Sequence, residues 1–251
     1  MGVMLSFVMG FGTFGSTFVI PLFTQSLLGW TAQQAGLLQL PSTIFVAFMM
    51  PIVATLIQKG VQQKYLIAAG MFIFYIFCML CYKIITPNTS SGDFFWPLIV
   101  RGLGMGLLSV PVSTMSLSTL NGQEIGQGAA FTGMMRQLGG SFGVASISTF
   151  LSRETSIHRV QVVSHLNVND VNVQNRVAQI AAGMRSHGAD SFTSRNMAYQ
   201  MLDNSVTMQA TLLSYMDVFM LVGIIFVVFV PFVLLFVKRS KPRISMADAA
   251  H

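Results

Sequence analysis

The sequence opens with MGVMLSFVMGFGTFGSTFVIPLFTQSLLGWTAQQAGLLQLPSTIFVAFMMPIVATLIQ, which covers residues 1–58 and contains no Asp, Glu, Lys or Arg. The first charged side chain is that of Lys59. Of the 251 residues, 53% are hydrophobic and 9% are charged, whereas an ordinary soluble domain is roughly 25% charged. So few charges cannot cover a surface that faces water. These features indicate a protein whose apolar segments are surrounded by lipid.

Six stretches are long enough to cross a bilayer, for which a helix needs about 20 mostly apolar residues. None of them shows the strict alternation of apolar and polar residues that a transmembrane β-barrel requires. The predicted fold is therefore all-α, a polytopic membrane bundle of six transmembrane helices, five of them within residues 1–151. The predicted spans are Val3–Leu28, Gly36–Ile57, Tyr65–Ile85, Phe94–Thr119, Ala129–Leu151 and Tyr215–Val237.

Lysine and arginine in short loops predict the orientation, because short basic loops stay on the cytoplasmic side. Lys59 and Lys64 lie in the loop after the second predicted span, and the tail at residues 238–251 carries four more basic residues. Four predicted spans separate the two segments, so both lie on one side, and we expect both chain termini to be cytoplasmic. Trp30 and Trp96 then lie at the outer interface, where indole rings are enriched.

Residues 152–214 interrupt the apolar pattern with five arginines and three histidines. We expect this segment to be an extracytoplasmic loop, since long loops cross the membrane largely regardless of charge. Apolar residues recur at helical spacing in Val171–Met184 and Arg195–Leu213, which predicts two short amphipathic helices. The segment is either a connector on the membrane face or a lid or partner-docking surface, and we favour the connector.

Two arginines lie deep inside predicted spans. Arg101 is about seven residues into the fourth span, roughly 10 Å at the rise of an α-helix, and Arg136 is at a similar depth in the fifth span from the opposite side. Such a charge costs about 2.5–3.5 kcal/mol on insertion scales and therefore faces a bundle interior or a watery cavity. Asp217 begins the sixth span on the same side as Arg101, within reach of a long arginine side chain.

Uncharged polar side chains also recur inside the predicted spans. Some will bond to their own helix backbone, and others, together with Phe11, Phe14 and Met105, are suited to a pocket for amphiphilic molecules. Glycines four residues apart, such as Gly139 and Gly143, predict close packing of helices. The polar residues are Thr13, Ser16, Thr17, Gln25, Gln39, Ser109, Ser113, Thr114, Gln137 and Ser141.

Several chemistries are not expected. Cys78 and Cys81 lie in an apolar run, so we interpret them as core residues and not as a zinc or redox pair. No predicted span contains histidine, and Asp217 is the only carboxylate in a span, which disfavours a membrane-embedded enzyme. The chain has no phosphate-binding loop and no basic stripe interleaved with aromatic residues, which disfavours nucleotide-driven pumping and nucleic-acid binding. We therefore expect no enzyme activity, no cofactor and no metal.

Three segments resemble the major facilitator superfamily, in particular its fourteen-span drug/proton antiporters of the EmrB/QacA type. They are GTFGSTFVIPLFTQSLLGWTAQQAGLLQLP at Gly12–Pro41, RGLGMGLLSVPVSTMSLSTL at Arg101–Leu120 and RQLGGSFGVASISTFL at Arg136–Leu151. The resemblance extends over nearly the whole chain, including the long segment before the last span. It implies an exporter of drugs or toxicants that is driven by inward proton flow, in the bacterial inner membrane.

Members of that family carry two six-span bundles and two extra helices, and this chain resembles the carboxyl-terminal bundle. We therefore expect the chain to be a fragment or a separately built half, which needs the amino-terminal bundle and the acidic residues that this bundle usually holds. Further expected partners are the lipid bilayer, a lipophilic substrate, protons and a periplasmic adaptor. The alternative is a non-transporting membrane module for assembly or partner binding, which the long outer segment would favour.

The resemblance also implies that the first, second, fourth and fifth spans line a central cavity, while the third and sixth face lipid. Two arginines in such a cavity favour anionic or zwitterionic amphiphiles over lipophilic cations. Asp217 is expected to have a structural or coupling role. The expected substrate-binding residues are Gln25, Gln39, Arg101, Ser113, Arg136 and Gln137.

Overall fold

The structure is a computed structural model, and it describes residues 2–118, 120, 124–164, 171–186 and 190–236. Every regular element in these ranges is an α-helix. The expected cytoplasmic tail, residues 238–251, lies outside the described residues. The helices are α1 (Gly2–Ser26), α2 (Ala32–Leu37), α3 (Leu40–Gln58), α4 (Gln63–Ile84), α5 (Phe95–Leu117), α6 (Ile125–Ser164), α7 (Val171–Ser186) and α8 (Ser191–Phe236).

Five helical segments are long and apolar enough to cross a membrane. They are α1, α2 together with α3, α4, α5, and Ser191–Leu235 of α8. The predicted span Ala129–Leu151 is helical but is not among the five. It belongs to α6, where Arg136, Gln137 and several glycines lower the hydropathy. The prediction of six apolar spans therefore holds for five of them.

The predicted second span, Gly36–Ile57, is interrupted, because α2 ends at Leu37 and α3 begins at Leu40. A capping box starts α2. The hydroxyl of Thr31 accepts a hydrogen bond from the backbone N–H of Gln34 at 3.3 Å, and Gln34 Oε1 accepts one from the N–H of Thr31 at 3.0 Å. A proline, Pro41, lies in the first turn of α3, where its missing N–H leaves no helix hydrogen bond unmade.

The chain divides into two compact units. The larger unit consists of Met1–Ile147 and Phe219–His251, and the smaller unit of Ser148–Val218. Within the predicted loop at residues 152–214, nearly all the described residues are helical, since α6 continues to Ser164 and α8 already begins at Ser191. The predicted helix at Val171–Met184 corresponds to α7, whereas Arg195–Leu213 is part of α8. Neither glycine nor proline occurs in residues 144–164 or 191–222, so nothing in the backbone stops these two helices.

Aromatic side chains fill the core of the larger unit. Phe74 of α4 and Phe226 of α8 are fully buried, and their ring centroids lie 4.3 Å apart. Phe77, one turn after Phe74, packs against it at 5.3 Å. Cys78 and Cys81 are free thiols with no exposed surface on the same helix, which agrees with their interpretation as core residues.

Helix α1 packs against α6 through glycines. A Cβ atom added to Gly10 would lie 2.0 Å from the carbonyl oxygen of Arg136, and one added to Gly139 would lie 2.1 Å from the carbonyl oxygen of Phe7. At Gly143 the corresponding distance to the nearest carbonyl oxygen of α1 is 3.0 Å. The two backbones therefore touch without intervening side chains, as small residues permit. We call the contact at Gly10, Gly139 and Gly143 the glycine seam.

The loops of the larger unit meet at two opposite ends. The ring of Trp30 lies 6.5 Å from that of Phe94, which precedes α5, so Trp30 and Trp96 belong to the same end. At the other end, Gln63 at the start of α4 donates a hydrogen bond to Thr114 near the end of α5 at 3.1 Å. This arrangement agrees with the alternation of spans from which we predict the orientation.

Candidate functional site

Arg101 lies in the second turn of α5 with 5% of its surface exposed. Its Nε donates to Ser16 Oγ at 3.0 Å, its Nη1 to Gln39 Oε1 at 2.6 Å, and its Nη2 to Thr17 Oγ1. The Nη2 group also donates to the carbonyl oxygen of Thr13 at 3.4 Å. The guanidinium thus connects α1, α5 and the residue that precedes α3. We call these five residues the Arg101 cluster.

A proline in α1 explains the second contact of Gln39. Pro21 has no backbone N–H, so the carbonyl of Thr17, four residues earlier, loses its helix hydrogen bond. Gln39 Nε2 donates to that carbonyl oxygen at 3.2 Å. The amide group of Gln39 therefore satisfies an unpaired backbone acceptor of α1 and the guanidinium of Arg101 at the same time.

The oxygens that accept hydrogen bonds from Arg101 are all uncharged. In the described part of the chain Arg159 forms an ion pair with Asp203 at 2.7 Å, and His158 Nε2 lies 2.6 Å from Asp217 Oδ2. Asp217, which the sequence places within reach of a long arginine side chain, lies beside His158 in this structure. Asp217 is bound by a histidine of the smaller unit, and neutral hydroxyl, amide and carbonyl groups solvate the buried arginine.

Arg136 of α6 differs from Arg101 in having few partners. Its Nη2 donates to Ser113 Oγ of α5 at 3.2 Å, and its buried Nε has no hydrogen-bond partner within the described ranges. A guanidinium has five N–H donors in a planar fork that matches a carboxylate or a phosphate. Arg101 makes four hydrogen bonds to the protein, whereas one is found for Arg136. Arg136 is therefore the arginine whose donors are available to an anionic group.

The structure brings together four of the six expected binding residues as two pairs, Gln39 with Arg101 and Ser113 with Arg136. The other two, Gln25 and Gln137, are exposed, and their side chains are in neither set of hydrogen bonds. A single sequence does not show how these residues lie relative to one another, so the paired residues could not be told from the exposed ones.

Ser16 and Thr17 also belong to the Arg101 cluster, although in the sequence they are recognisable only as polar residues within a span. A signal for them exists. Arg101 lies six residues after Phe95, the start of α5, and Thr17 lies nine residues before Ser26, the end of α1. Because the carboxyl end of α1 and the amino end of α5 lie together, with the rings of Phe23 and Phe94 6.1 Å apart, polar side chains at that depth are candidates to solvate the arginine.

Two pockets of the larger unit are lined in part by residues that are close in sequence to these arginines. The first, of about 820 Å³, is lined in part by Leu38 and Pro41, close to Gln39 in sequence, and by Leu98, one turn before Arg101. The second, of about 490 Å³, is almost entirely apolar. Apolar and aromatic side chains of α1, α6 and α8 line it, among them Val3, Phe7, Phe11, Met135, Phe142 and Phe229. Each pocket thus offers apolar surface formed in part by a sequence neighbour of one of these arginines, Leu98 or Met135.

Apolar spanning helices, a backbone contact between helices and a buried arginine solvated by neutral groups define a polytopic α-helical membrane protein. Its family follows from comparison with known proteins. Residues 1–144 match the model of the Major Facilitator Superfamily, and the chain belongs to this family.

The chain is also similar to bacterial proteins that are named for resistance or export. It is 24% identical over 237 residues to "Fatty acid resistance protein FarB" of Neisseria gonorrhoeae, an alignment covering 94% of this chain and 44% of that protein. It is 25% identical over 236 residues to "Colistin resistance protein EmrB" of Acinetobacter baumannii, with 94% and 45% covered. To "Multidrug export protein EmrB" of Escherichia coli it is 25% identical over 190 residues, with 74% and 36% covered. The chain thus spans less than half the length of these relatives.

Proposed function

We propose that this chain is the carboxyl-terminal bundle of a transporter that exports lipophilic toxicants across the bacterial inner membrane in exchange for protons. Its membership in the Major Facilitator Superfamily supports transport as the function. The relatives named for fatty acid resistance, colistin resistance and multidrug export support the substrate class. The proposal requires a second bundle, because alternating access needs two bundles that rock about a site between them.

The observation that carries the choice of substrate is the set of free donors on Arg136. Its guanidinium is half-buried, and its one protein partner among the described residues is the neutral Ser113. A cation attracts an anion more strongly in a medium of low dielectric constant than in water. Hydrogen bonds to charged groups contribute about 1.5–3 kcal/mol, which corresponds to roughly 10–100-fold in affinity. We therefore propose that Arg136 and Ser113 bind the anionic or zwitterionic head of an amphiphile.

The apolar pocket between α1, α6 and α8 supports the same substrate class. Its lining includes Met135, the residue before Arg136, and the aromatic side chains of Phe7 and Phe142. A pocket of about 490 Å³ with this lining suits an acyl chain or an aromatic ring system. In this proposal Arg101 has a different role, since its hydrogen bonds to the protein leave few donors for a ligand and instead hold α1, α3 and α5 together.

The test is export by the full-length gene product that contains this chain, measured in inverted membrane vesicles with two fluorescent probes. One probe is a fatty acid analogue and the other is a lipophilic cation. Arg136→Gln should reduce transport of the anionic probe by roughly 10-fold or more, while Arg136→Lys, which keeps the charge, should retain part of it. Lys83→Gln removes the same charge from an exposed position on α4 and is the matched control.

Two outcomes would overturn the proposal. If Arg136→Gln exports the anionic probe as well as the unmodified protein does, Arg136 does not bind the substrate. If export persists after an uncoupler has collapsed the proton gradient, the transporter is not a proton antiporter.

A partner-binding module is the alternative function, and the smaller unit favours it. In this unit α6 and α8 continue without interruption beyond the predicted membrane boundaries. A periplasmic adaptor is the expected class of partner. Replacing residues 165–190 by a short flexible linker separates the two functions. If the variant no longer captures an adaptor but still exports substrate, the smaller unit has a docking role. Unchanged capture contradicts that role.

A further inference from the structure

Three side chains with metal-ligating groups converge in the smaller unit. Glu154 and His158 lie on α6, and Asp217 lies on α8, 59 residues after His158. One ligand atom from each of the three residues lies within 4.8 Å of the other two, and all three residues are partly buried. None of them takes part in the arginine sites of the larger unit.

The helix geometry accounts for two of these three positions. Residues four apart on an α-helix lie on the same face, one turn from each other, so Glu154 and His158 point in the same direction. His158 Nε2 lies 2.6 Å from Asp217 Oδ2. Ligand atoms at about 2.1 Å from a Zn²⁺ ion lie at most about 4.2 Å apart. The three residues therefore need side-chain adjustments of less than about 1 Å to share one ion.

A fourth residue, Gln161, orients the imidazole ring. Its Oε1 lies 3.3 Å from His158 Nδ1. That amide oxygen can accept a hydrogen bond from a proton on Nδ1. A neutral imidazole then has a lone pair on Nε2, which faces the carboxylate of Asp217. At 2.6 Å, Nε2 and Asp217 Oδ2 are joined either by a proton on Nε2 or by a cation that both atoms bind.

Metal-binding histidines almost always donate their second N–H to an oxygen acceptor, which fixes the ring and the tautomer. Gln161 supplies that acceptor, and it is not one of the three clustered residues. One imidazole and two carboxylates are ligands that Zn²⁺ uses in proteins, with an open position for water. We propose that Glu154, His158 and Asp217 bind one divalent transition-metal ion, for which Zn²⁺ is the probe, and that this ion joins α6 to α8.

The experiment uses the full chain in detergent, with a tag that contains no histidine. The other three histidines, His165, His187 and His251, are replaced by glutamine, so that His158 is the only imidazole. Zinc content after gel filtration and isothermal titration give the stoichiometry and the affinity. Co²⁺ in place of Zn²⁺ reports the ligand geometry through its visible absorption spectrum.

We expect one Zn²⁺ per chain. Glu154→Gln, His158→Gln and Asp217→Asn should each weaken binding by more than about 10-fold, and Gln161→Leu should weaken it by roughly 10-fold through the orientation of the ring. His158→Cys should keep the metal and add a cobalt–thiolate charge-transfer band. Asp203→Asn is the matched control, because Asp203 pairs with Arg159 on the same two helices.

Three results would overturn the proposal. They are the absence of stoichiometric zinc, zinc binding that survives both His158→Gln and Asp217→Asn, and equal weakening by Asp203→Asn. In the first case a proton shared by an imidazolium and a carboxylate accounts for the cluster. The His158→Cys spectrum guards against misfolding, since a charge-transfer band appears only if the site is assembled.

Discussion

The glycine seam gives a sharp prediction for Gly139→Ala. The added methyl group would lie 2.1 Å from the carbonyl oxygen of Phe7, which is about 1.3 Å short of the 3.4 Å of an ordinary contact. The obstacle is backbone, so no side-chain rotation relieves it, and α1 and α6 must separate. Inserting a methyl group into a tight contact costs roughly 1–3 kcal/mol, and replacing glycine by alanine in a helix returns about 0.5–1 kcal/mol. We expect a net loss of about 1–2 kcal/mol.

The two buried cysteines provide the assay. A maleimide dye that becomes fluorescent on reaction with thiols reports unfolding of the purified protein in detergent, because Cys78 and Cys81 have no exposed surface. A change of 1 kcal/mol shifts the midpoint by about 2–4 °C in a protein of this size. Gly139→Ala should therefore lower the midpoint by several degrees.

The same helix provides the control. Gly133 of α6 has open space at the position of a Cβ atom, so Gly133→Ala should be neutral or slightly stabilising. From the facing helix, Gly10→Ala should destabilise like Gly139→Ala, since its methyl group would lie 2.0 Å from the carbonyl oxygen of Arg136. The double variant should lose less than the sum, because the first substitution already opens the seam. Equal midpoints for Gly139→Ala and Gly133→Ala would refute the packing of α1 on α6.

Three further substitutions test the core, the Arg101 cluster and the cap of α2. Phe226→Ala should lower the free energy of unfolding in the cysteine assay by about 3–5 kcal/mol, since it empties a fully buried site. Leu235→Ala, at a side chain that is 79% exposed, is the control and should have little effect. Similar midpoints for the two variants would contradict the assigned core. Gln39→Leu should lower the free energy of unfolding by about 1–3 kcal/mol, because a buried guanidinium loses an acceptor at 2.6 Å. Gln25→Leu, at an exposed position, is the control and should change it by no more than about 0.5 kcal/mol. Equal losses would place Gln39 outside the Arg101 cluster. Thr31→Ala should weaken α2 by about 0.5–2 kcal/mol, seen as faster amide hydrogen exchange in that helix alone, and unchanged exchange would exclude the capping box.

The apolar helices are the part of the fold that the sequence predicts best. Val3–Leu28 and Phe94–Thr119 differ from α1 and α5 by only one or two residues at each end. Lipid solvation imposes a continuous uncharged run on each spanning helix, and this requirement does not depend on neighbouring helices. Hydropathy therefore locates such helices without any knowledge of their packing.

Hydropathy does not predict the helix boundaries where a helix continues beyond its apolar segment or is interrupted within it. Helix α6 continues from Leu151 to Ser164 although its residues become polar, because polarity by itself does not terminate a helix. The interruption before α3 has local signals, namely the capping box of Thr31 and Gln34 and the proline at position 41. An average over about 20 residues obscures these signals.

The candidate site is harder to predict because it depends on the register between helices. Arg101 is recognisable as buried from its depth in a span, but its partners are 62 to 88 residues away in sequence. Only the bond from Gln39 to the carbonyl of Thr17 has a cause that is visible in the sequence, since Pro21 leaves this acceptor free. The sequence does not show that most hydrogen-bond donors of Arg101 have partners in the described part of the protein whereas those of Arg136 do not. This difference depends on how the neighbouring helices are placed.

The hydrogen bonds of Arg101 have a mechanical consequence. Separating α3 from α1 or α5 would strip a guanidinium of acceptors in a low-dielectric interior, at about 1.5–3 kcal/mol for each bond to the charge. These three helices should therefore move as a single rigid body. The glycine seam between α1 and α6 is not held by such a charged hydrogen-bond network, and α1 and α6 can slide past each other there. Spin-label distances between α1 and α3 should accordingly stay constant when a ligand changes those between α1 and α6, and a change in the α1–α3 distances would show that the arginine is not a lock.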